Sequence, residues 1–273
     1  MTDSLLEVRD LVVEYARPGK PRLRAVDGVN FTLARGATLG IVGESGCGKS
    51  SLARAILQLE DHEGCVRLLG DDLARLNSRE LRAARRNMQA VFQDPLASLS
   101  PRMTVSRILE EPLRVHRPEQ DAAQRRETVV DMLRRVGLDA ELATSYPHEL
   151  SGGQCQRVGI ARAVICEPRL LVCDEPVSAL DTSIRGQILG LLATLRRDLG
   201  IGIIFIAHDM TAVRYLCDEV LVMQDGAVVE FASRDAIFHD PQHPYTRQLL
   251  EAVLPPDPRA RPDRDHESAD SRT

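Results

Sequence analysis

Residues 38–54, TLGIVGESGCGKSSLAR, constrain this chain more than any other stretch. An apolar run (Leu39, Ile41, Val42) leads into Gly43-Glu44-Ser45-Gly46-Cys47-Gly48-Lys49-Ser50, and Ser51 begins the helix-prone SLARAILQL. The order is strand, glycine-rich loop, helix, with the spacing G-x-x-x-x-G-K-S. Gly43, Gly46 and Gly48 let the backbone turn so that successive N–H groups converge on one anion. The helix that follows adds its positive N-terminal end. Lys49 brings a point charge to the outer phosphates, and the Ser50 hydroxyl can ligate Mg²⁺. An incidental glycine turn would not keep eight residues in this register, so the stretch predicts a nucleoside triphosphate site.

The remainder of the chain must then supply a parallel α/β core. With 273 residues there is room for one large α/β domain with an insertion. A net charge of −5 gives no general drive toward nucleic acid. The sequence predicts no secretory leader and no run of the ~18 apolar residues that a membrane span needs. Six cysteines (47, 65, 155, 166, 173, 217) form no C-x-x-C and no metal-like spacing, which predicts a reducing compartment. Cys47, inside the phosphate loop, is the thiol expected to react, because the N–H field there favours a thiolate.

Read in order, LLEVRDLVVEY (5–15) predicts a first strand, ARPGKPRLR a turn-rich loop, and VNFTLARGATLGIV two strands around Arg35-Gly36. An antiparallel β element therefore precedes the core strand. Tyr15 lies near the nucleotide in a chain with only five Phe and four Tyr; its ring could stack on a base or simply pack within the strand. CVRLLG predicts a strand, ELRAARRN an Arg-rich solvated helix, and MQAVF (88–92) a core strand followed by Gln93, which could face a metal or the attacking water.

Residues from about 95 to 167 read as a helical insertion, with amphipathic helices near 104–111 and 121–136. It ends in Leu150-Ser151-Gly152-Gly153-Gln154 at a helix start, a second anion-binding N-terminus. One chain with a complete phosphate loop has little use for it, so it is expected to serve a nucleotide held by another subunit. LLVCDEP (170–176) predicts a buried strand with two carboxylates at its tip. Asp174 would hold Mg²⁺ through water, and Glu175 would act as general base or orient the attacking water. Asp181 is placed to cap the next helix, and IGIIFIAHDM predicts a buried strand leading to His208. A histidine there is commonly structural, but in a parallel sheet this edge is where ligands bind. VLVMQ-Asp225-Gly226-AVVEF predicts a hairpin, DAIFHDPQHPYTRQLLEAV short helices, and residues 255–273 a disordered charged tail.

Over residues 5–231 the ordered set Tyr15, GESGCGKS, Gln93, LSGGQ, LLVCDE, SALD and His208 resembles the nucleotide-binding subunit of ABC transporters. The resemblance implies a P-loop NTPase (RecA-like) α/β core with an antiparallel β subdomain and an inserted α-helical subdomain, spanning 1–254. It implies ATP and Mg²⁺ as ligands, with two ATP molecules at the interface of a head-to-tail pair. Implied roles are adenine stacking for Tyr15, Mg²⁺ and water sensing for Gln93, and γ-phosphate contact for His208. Ser151, Gly152, Gly153 and Gln154 would face the opposite subunit's nucleotide, and Asp181 would communicate between sites.

VFQDPLASLSPRMTV, YPHELSGGQCQRV, DEPVSALDTSIRGQIL and HPYTRQLLEAV are further similar to the dipeptide/oligopeptide/nickel importer ATPases. That likeness implies ATP hydrolysis coupled to solute import at the cytoplasmic membrane face. The implied partners are integral-membrane permease subunits, a second, non-identical ATPase subunit and, indirectly, an extracytoplasmic solute-binding protein. Many relatives of this kind carry late cysteines for an iron–sulfur cluster; none follows Cys217 here, so no cluster is expected. Nickel import, or a soluble complex such as carbon–phosphorus lyase, is the competing expectation.

Overall fold

A computed structural model describes residues 4–178 and 180–253; the tail expected at 255–273 lies outside them. β1 (Ser4–Arg17) and β2 (Lys20–Ala34) form a long antiparallel hairpin that continues through most of the loop expected at ARPGKPRLR. Pairing runs to Arg17 opposite Lys20, and Glu14 binds Arg24 across the strands at 3.0 Å. Pro21 is tolerated because β2 is an edge strand, where a missing N–H costs no ladder bond.

β3 (Thr38–Val42) feeds the glycine-rich loop and α1 (Lys49–Ile56), after which β4 (Glu63–Leu68) and β5 (Asp71–Asp72) complete the first sheet. Next come α2 (Ser78–Ala84), β6 (Met88–Val91) and α3 (Pro95–Ser98). The described residues between β6 and the next strand are helical or irregular, with α4 (Val105–His116), α5 (Ala122–Arg135) and α6 (Gly152–Val164). α4 runs past its expected end through Pro112, its Val105, Ile108, Leu109 and Leu113 face holding it in the core. Asp121 caps α5 by accepting from the Ala123 and Gln124 N–H groups.

β7 (Leu170–Asp174), α7 (Thr182–Leu199), β8 (Gly202–Ile206) and α8 (Met210–Leu216) follow. The described chain ends with β9 (Glu219–Gln224), β10 (Ala227–Ser233), α9 (Arg234–His239) and α10 (Pro244–Val253). No helix among the described residues is long and apolar enough to cross a membrane.

The antiparallel sheet has the order β2-β1-β4-β5 and the larger one β10-β9-β3-β8-β7-β6. In the larger sheet β6, β7, β8, β3 and β9 run parallel, and β10 returns antiparallel through the Asp225-Gly226 turn. β3, β7 and β8 are buried along their whole length, which explains why they read as unbroken apolar runs. One apolar core fills the space between the larger sheet and the helices α4 to α8. A second lies between the two sheets and α1. The C-terminal ends of β3, β6, β7 and β8 consequently open on one edge, where Gly43, Gln93, Asp174–Glu175 and His208 emerge.

Candidate functional site

The loop after β3 is tightly enclosed at two glycines. Gly43 has φ 151° and Gly48 φ 105°. A Cβ at Gly43 would stand 2.2 Å from the Met223 carbonyl oxygen of β9, and one at Gly48 2.0 Å from the Ala25 carbonyl oxygen of β2. Neither position can carry a side chain. Gly46 has open space around it and needs glycine only for its φ of 83°. Glu44, Ser45 and Gly46 face outward, while Cys47 and Lys49 are buried. The Lys49 ammonium folds back into the loop and donates to the Gly43 and Glu44 carbonyl oxygens at 2.8 and 2.7 Å. The Cys47 sulfur stands 3.7 Å from it. α1 opens on Gly48 without a side-chain cap, which leaves its first N–H groups for an anion.

Beside the loop, the Ser50 hydroxyl donates to Asp174 Oδ1 at 3.1 Å. Asp174 is 9% exposed. Burial pushes its carboxyl above the usual aspartate range, against the pull of the Ser50 bond. A hydroxyl and a carboxylate side by side are hard oxygen donors, the set Mg²⁺ takes together with phosphate oxygens and water. Among the described residues no group of three or more His, Cys, Asp and Glu could hold a metal ion by itself.

Glu175 has φ 50°, a left-handed conformation that costs a non-glycine residue of order 1–3 kcal/mol. Its N–H donates to Ile206 at 3.0 Å, and its carbonyl accepts from the Ser178 hydroxyl at 3.0 Å. The strained turn swings the side chain toward His208, whose Nδ1 lies 3.5 Å from Glu175 Oε2. His208 sits two residues past β8 and is 57% exposed. Gln93 is exposed just beyond β6. The Tyr15 hydroxyl donates to Ser51 at 3.2 Å, and its half-buried ring packs on the core between the sheets.

The hydrogen bonds of the second motif run within the segment itself. Ser151 caps α6, accepting from the Gln154 N–H at 3.2 Å, and Gln154 Oε1 accepts from the Ser151 N–H at 2.8 Å. Ser151 and Gly152 are exposed, with nothing within 4 Å of a Cβ at Gly152. A Cβ at Gly153 would press Ile184 at 3.0 Å. Asp181 stands at the N-cap of α7 as expected, but its side chain makes no cap bond; its carbonyl oxygen accepts from Ile184 and Arg185 instead.

Three contacts had no counterpart in the sequence reading. Arg185 donates to the carbonyls of Leu180 at 2.7 Å and Ser178 at 3.3 Å, and its other nitrogen is 4.0 Å from Asp209, the residue after His208. Ser178 braces Glu175 as described above. The Tyr245 hydroxyl, on α10, accepts from the Glu44 N–H at 2.8 Å. Ser178 and Arg185 lie within DEPVSALDTSIRGQIL and Tyr245 within HPYTRQLLEAV, but nothing in those stretches marks the contacts.

Residues 26–178 match the family described as ABC transporter, and residues 229–272 match the oligopeptide/dipeptide transporter C-terminal region. The chain is 52% identical to the oligopeptide transport ATP-binding protein OppF of Escherichia coli, over 93% of this chain and 79% of that protein. It is 44% identical to OppF of Bacillus subtilis, over 94% of this chain and 85% of that one. Among solved structures it is similar to the ATP-binding cassette MJ0796, a dimer in a post-hydrolysis state bound to ADP and Pi. There the TM-score is 0.76 at 29% identity, covering 84% of this chain and 98% of that one. The cbiO1 subunit from Clostridium perfringens, part of the transporter complex cbiONQ, gives TM-score 0.76 at 28% identity over 87% and 92%.

Proposed function

The chain belongs to the ABC transporter family, and from that premise we propose that it is the ATP-hydrolysing subunit of an oligopeptide importer. The observation that carries this reading is the meeting of Lys49, Ser50, Asp174, Glu175 and His208 at one sheet edge, linked by the Ser50–Asp174 bond and the Glu175–His208 pair.

In this account the phosphates of ATP draw the Lys49 ammonium away from the two loop carbonyls it now holds, and the uncapped start of α1 receives them. Ser50 and Asp174 would hold Mg²⁺, with Gln93 as a further ligand. When bound, Mg²⁺ neutralises phosphate charge. The Glu175 carboxylate orients the attacking water and takes its proton as the water oxygen bonds to the γ-phosphorus and ADP leaves with the bonding electrons. His208 steers the γ-phosphate and holds the Glu175 side chain in place. Tyr15 stacks on the adenine.

Ser151, Gly152, Gly153 and Gln154 close over the nucleotide of a second, non-identical ATPase subunit, and Asp181 links the two sites. Mechanical work passes to an integral-membrane permease at the cytoplasmic face. The cleft between the core and α4 suits that contact, because exposed apolar groups gather there beside charge: Leu59, Phe92 and Val115 with Arg82 and Glu111. An extracytoplasmic solute-binding protein would deliver the peptide to the permease.

Glu175→Gln tests the reading. The variant should bind ATP as the native chain does, accumulate an ATP-bound dimer and lose most turnover. Undiminished hydrolysis by the variant in the assembled transporter would reject it.

A further inference from the structure

Residue Glu44 is held from both sides. Its carbonyl oxygen accepts from the Lys49 ammonium at 2.7 Å, while its N–H donates to the Tyr245 hydroxyl at 2.8 Å. The two partners differ in what happens when a polyphosphate arrives. An arriving phosphate competes for the Lys49 ammonium that the carbonyl now holds. The Tyr245 contact is to the N–H of the same residue and takes no part in that competition.

Tyr245 is fixed for this task. It is 6% exposed, near the start of α10, and the segment before it is clasped by β10. Glu230 of β10 accepts from the Gln242 and His243 N–H groups at 2.8 and 3.0 Å, and Arg247 donates to the Pro241 and Gln242 carbonyls at 2.9 and 3.4 Å. Burial pushes the Tyr245 hydroxyl above the usual phenol range, so it stays a neutral acceptor. The same hairpin touches the loop again, since the Gly226 N–H donates to the Cys47 carbonyl at 3.1 Å.

We propose that Tyr245 is a positioning residue of the phosphate loop, through which the C-terminal helix keeps the Glu44 peptide in its receptive conformation once Lys49 has turned to the nucleotide. The proposal rests on the ATP-binding reading above. It makes the region from β10 to α10 a working part of the nucleotide site.

The test compares the full-length native chain, Tyr245→Phe and Leu199→Ala, the last a packing loss at the end of α7, away from the loop and from α10. ATP affinity by calorimetric titration, amide exchange at Glu44 with and without ATP, and thermal midpoint are measured for each. Loss of the hydroxyl should weaken ATP binding about three- to tenfold, what one hydrogen bond is worth. Exchange at Glu44 should quicken most in the ATP-bound state and the midpoint should stay nearly unchanged, whereas Leu199→Ala should lower the midpoint and bind ATP as the native chain does. Native affinity and native Glu44 exchange in Tyr245→Phe would overturn the proposal. So would affinity and midpoint falling in parallel in both variants, since that is what simple packing predicts. If the native chain itself bound no ATP, the ATP reading would fail separately. Glu44 exchange in the nucleotide-free proteins would still decide the Tyr245 contact.

Discussion

At the scale of single residues, the costliest conformation near the site is that of Glu175. A left-handed backbone at φ 50° persists only when its surroundings enforce it. The Ile206 carbonyl and the Ser178 hydroxyl hold the two ends of its peptide, and Arg185 in turn holds the Ser178 and Leu180 carbonyls. Arg185 also approaches Asp209 beside His208, so one guanidinium ties together the segments carrying Glu175 and His208. Arg185→Ala should therefore lower kcat about ten- to a hundredfold with ATP KM little changed, in line with about 1.5–3 kcal/mol for a charged hydrogen bond. Arg185→Lys should not restore it, because an ammonium lacks the planar fork that reaches several acceptors at once. Steady-state hydrolysis checks both, and kcat within twofold of native would refute the bracing role. None of this could be read from the sequence: Arg185 is ten residues from Glu175, and only the turn between β7 and α7 brings it back. The identities of Lys49, Ser50 and Asp174, by contrast, were legible because their chemistry is carried by spacing and by position at the end of an apolar run.

Among elements, the C-terminal hairpin and α10 do more than complete the sheet. Glu230 anchors α10 by accepting two backbone N–H groups. Burial works against its charge, but the Thr246 hydroxyl close by and those two N–H groups outweigh it and hold the carboxyl below the usual glutamate range. A carboxyl with a lowered folded pKa contributes stability that is present above its unfolded pKa and lost as pH falls through its folded value. Glu230→Gln should consequently lower the thermal midpoint at neutral pH, and the gap to the native chain should narrow as the solution is acidified below the usual glutamate range. Midpoints across a pH series check this, and a gap independent of pH would show that charge plays no part. The strands and most helices here were legible from apolar period and turn residues. Two boundaries were not. β2 extends back to Lys20 because cross-strand ion pairs and an edge position accommodate Pro21, and α4 continues past Pro112 because its buried face outweighs the lost bond.

At the scale of the whole molecule, the fold, on the proposed account, delivers half of a site. Gly43, Asp174, Glu175 and His208 emerge from neighbouring parallel strands of a single sheet, while the hydrogen bonds of Ser151–Gln154 stay within their own helix start. The exposed Ser151 and Gly152 are left facing outward at the head of α6. That a second such helix start existed was plain from LSGGQ; that it works on another subunit's nucleotide is the proposal, motivated by one chain having one loop. The account stands or falls on that sharing. The direct measurement is the specific ATPase rate of the purified chain as a function of its concentration, alone and with its transporter partners. The shared site predicts slow turnover in dilute solution that rises with concentration and rises further on assembly. A fast rate per chain, independent of concentration down to the dilute monomer, would contradict it.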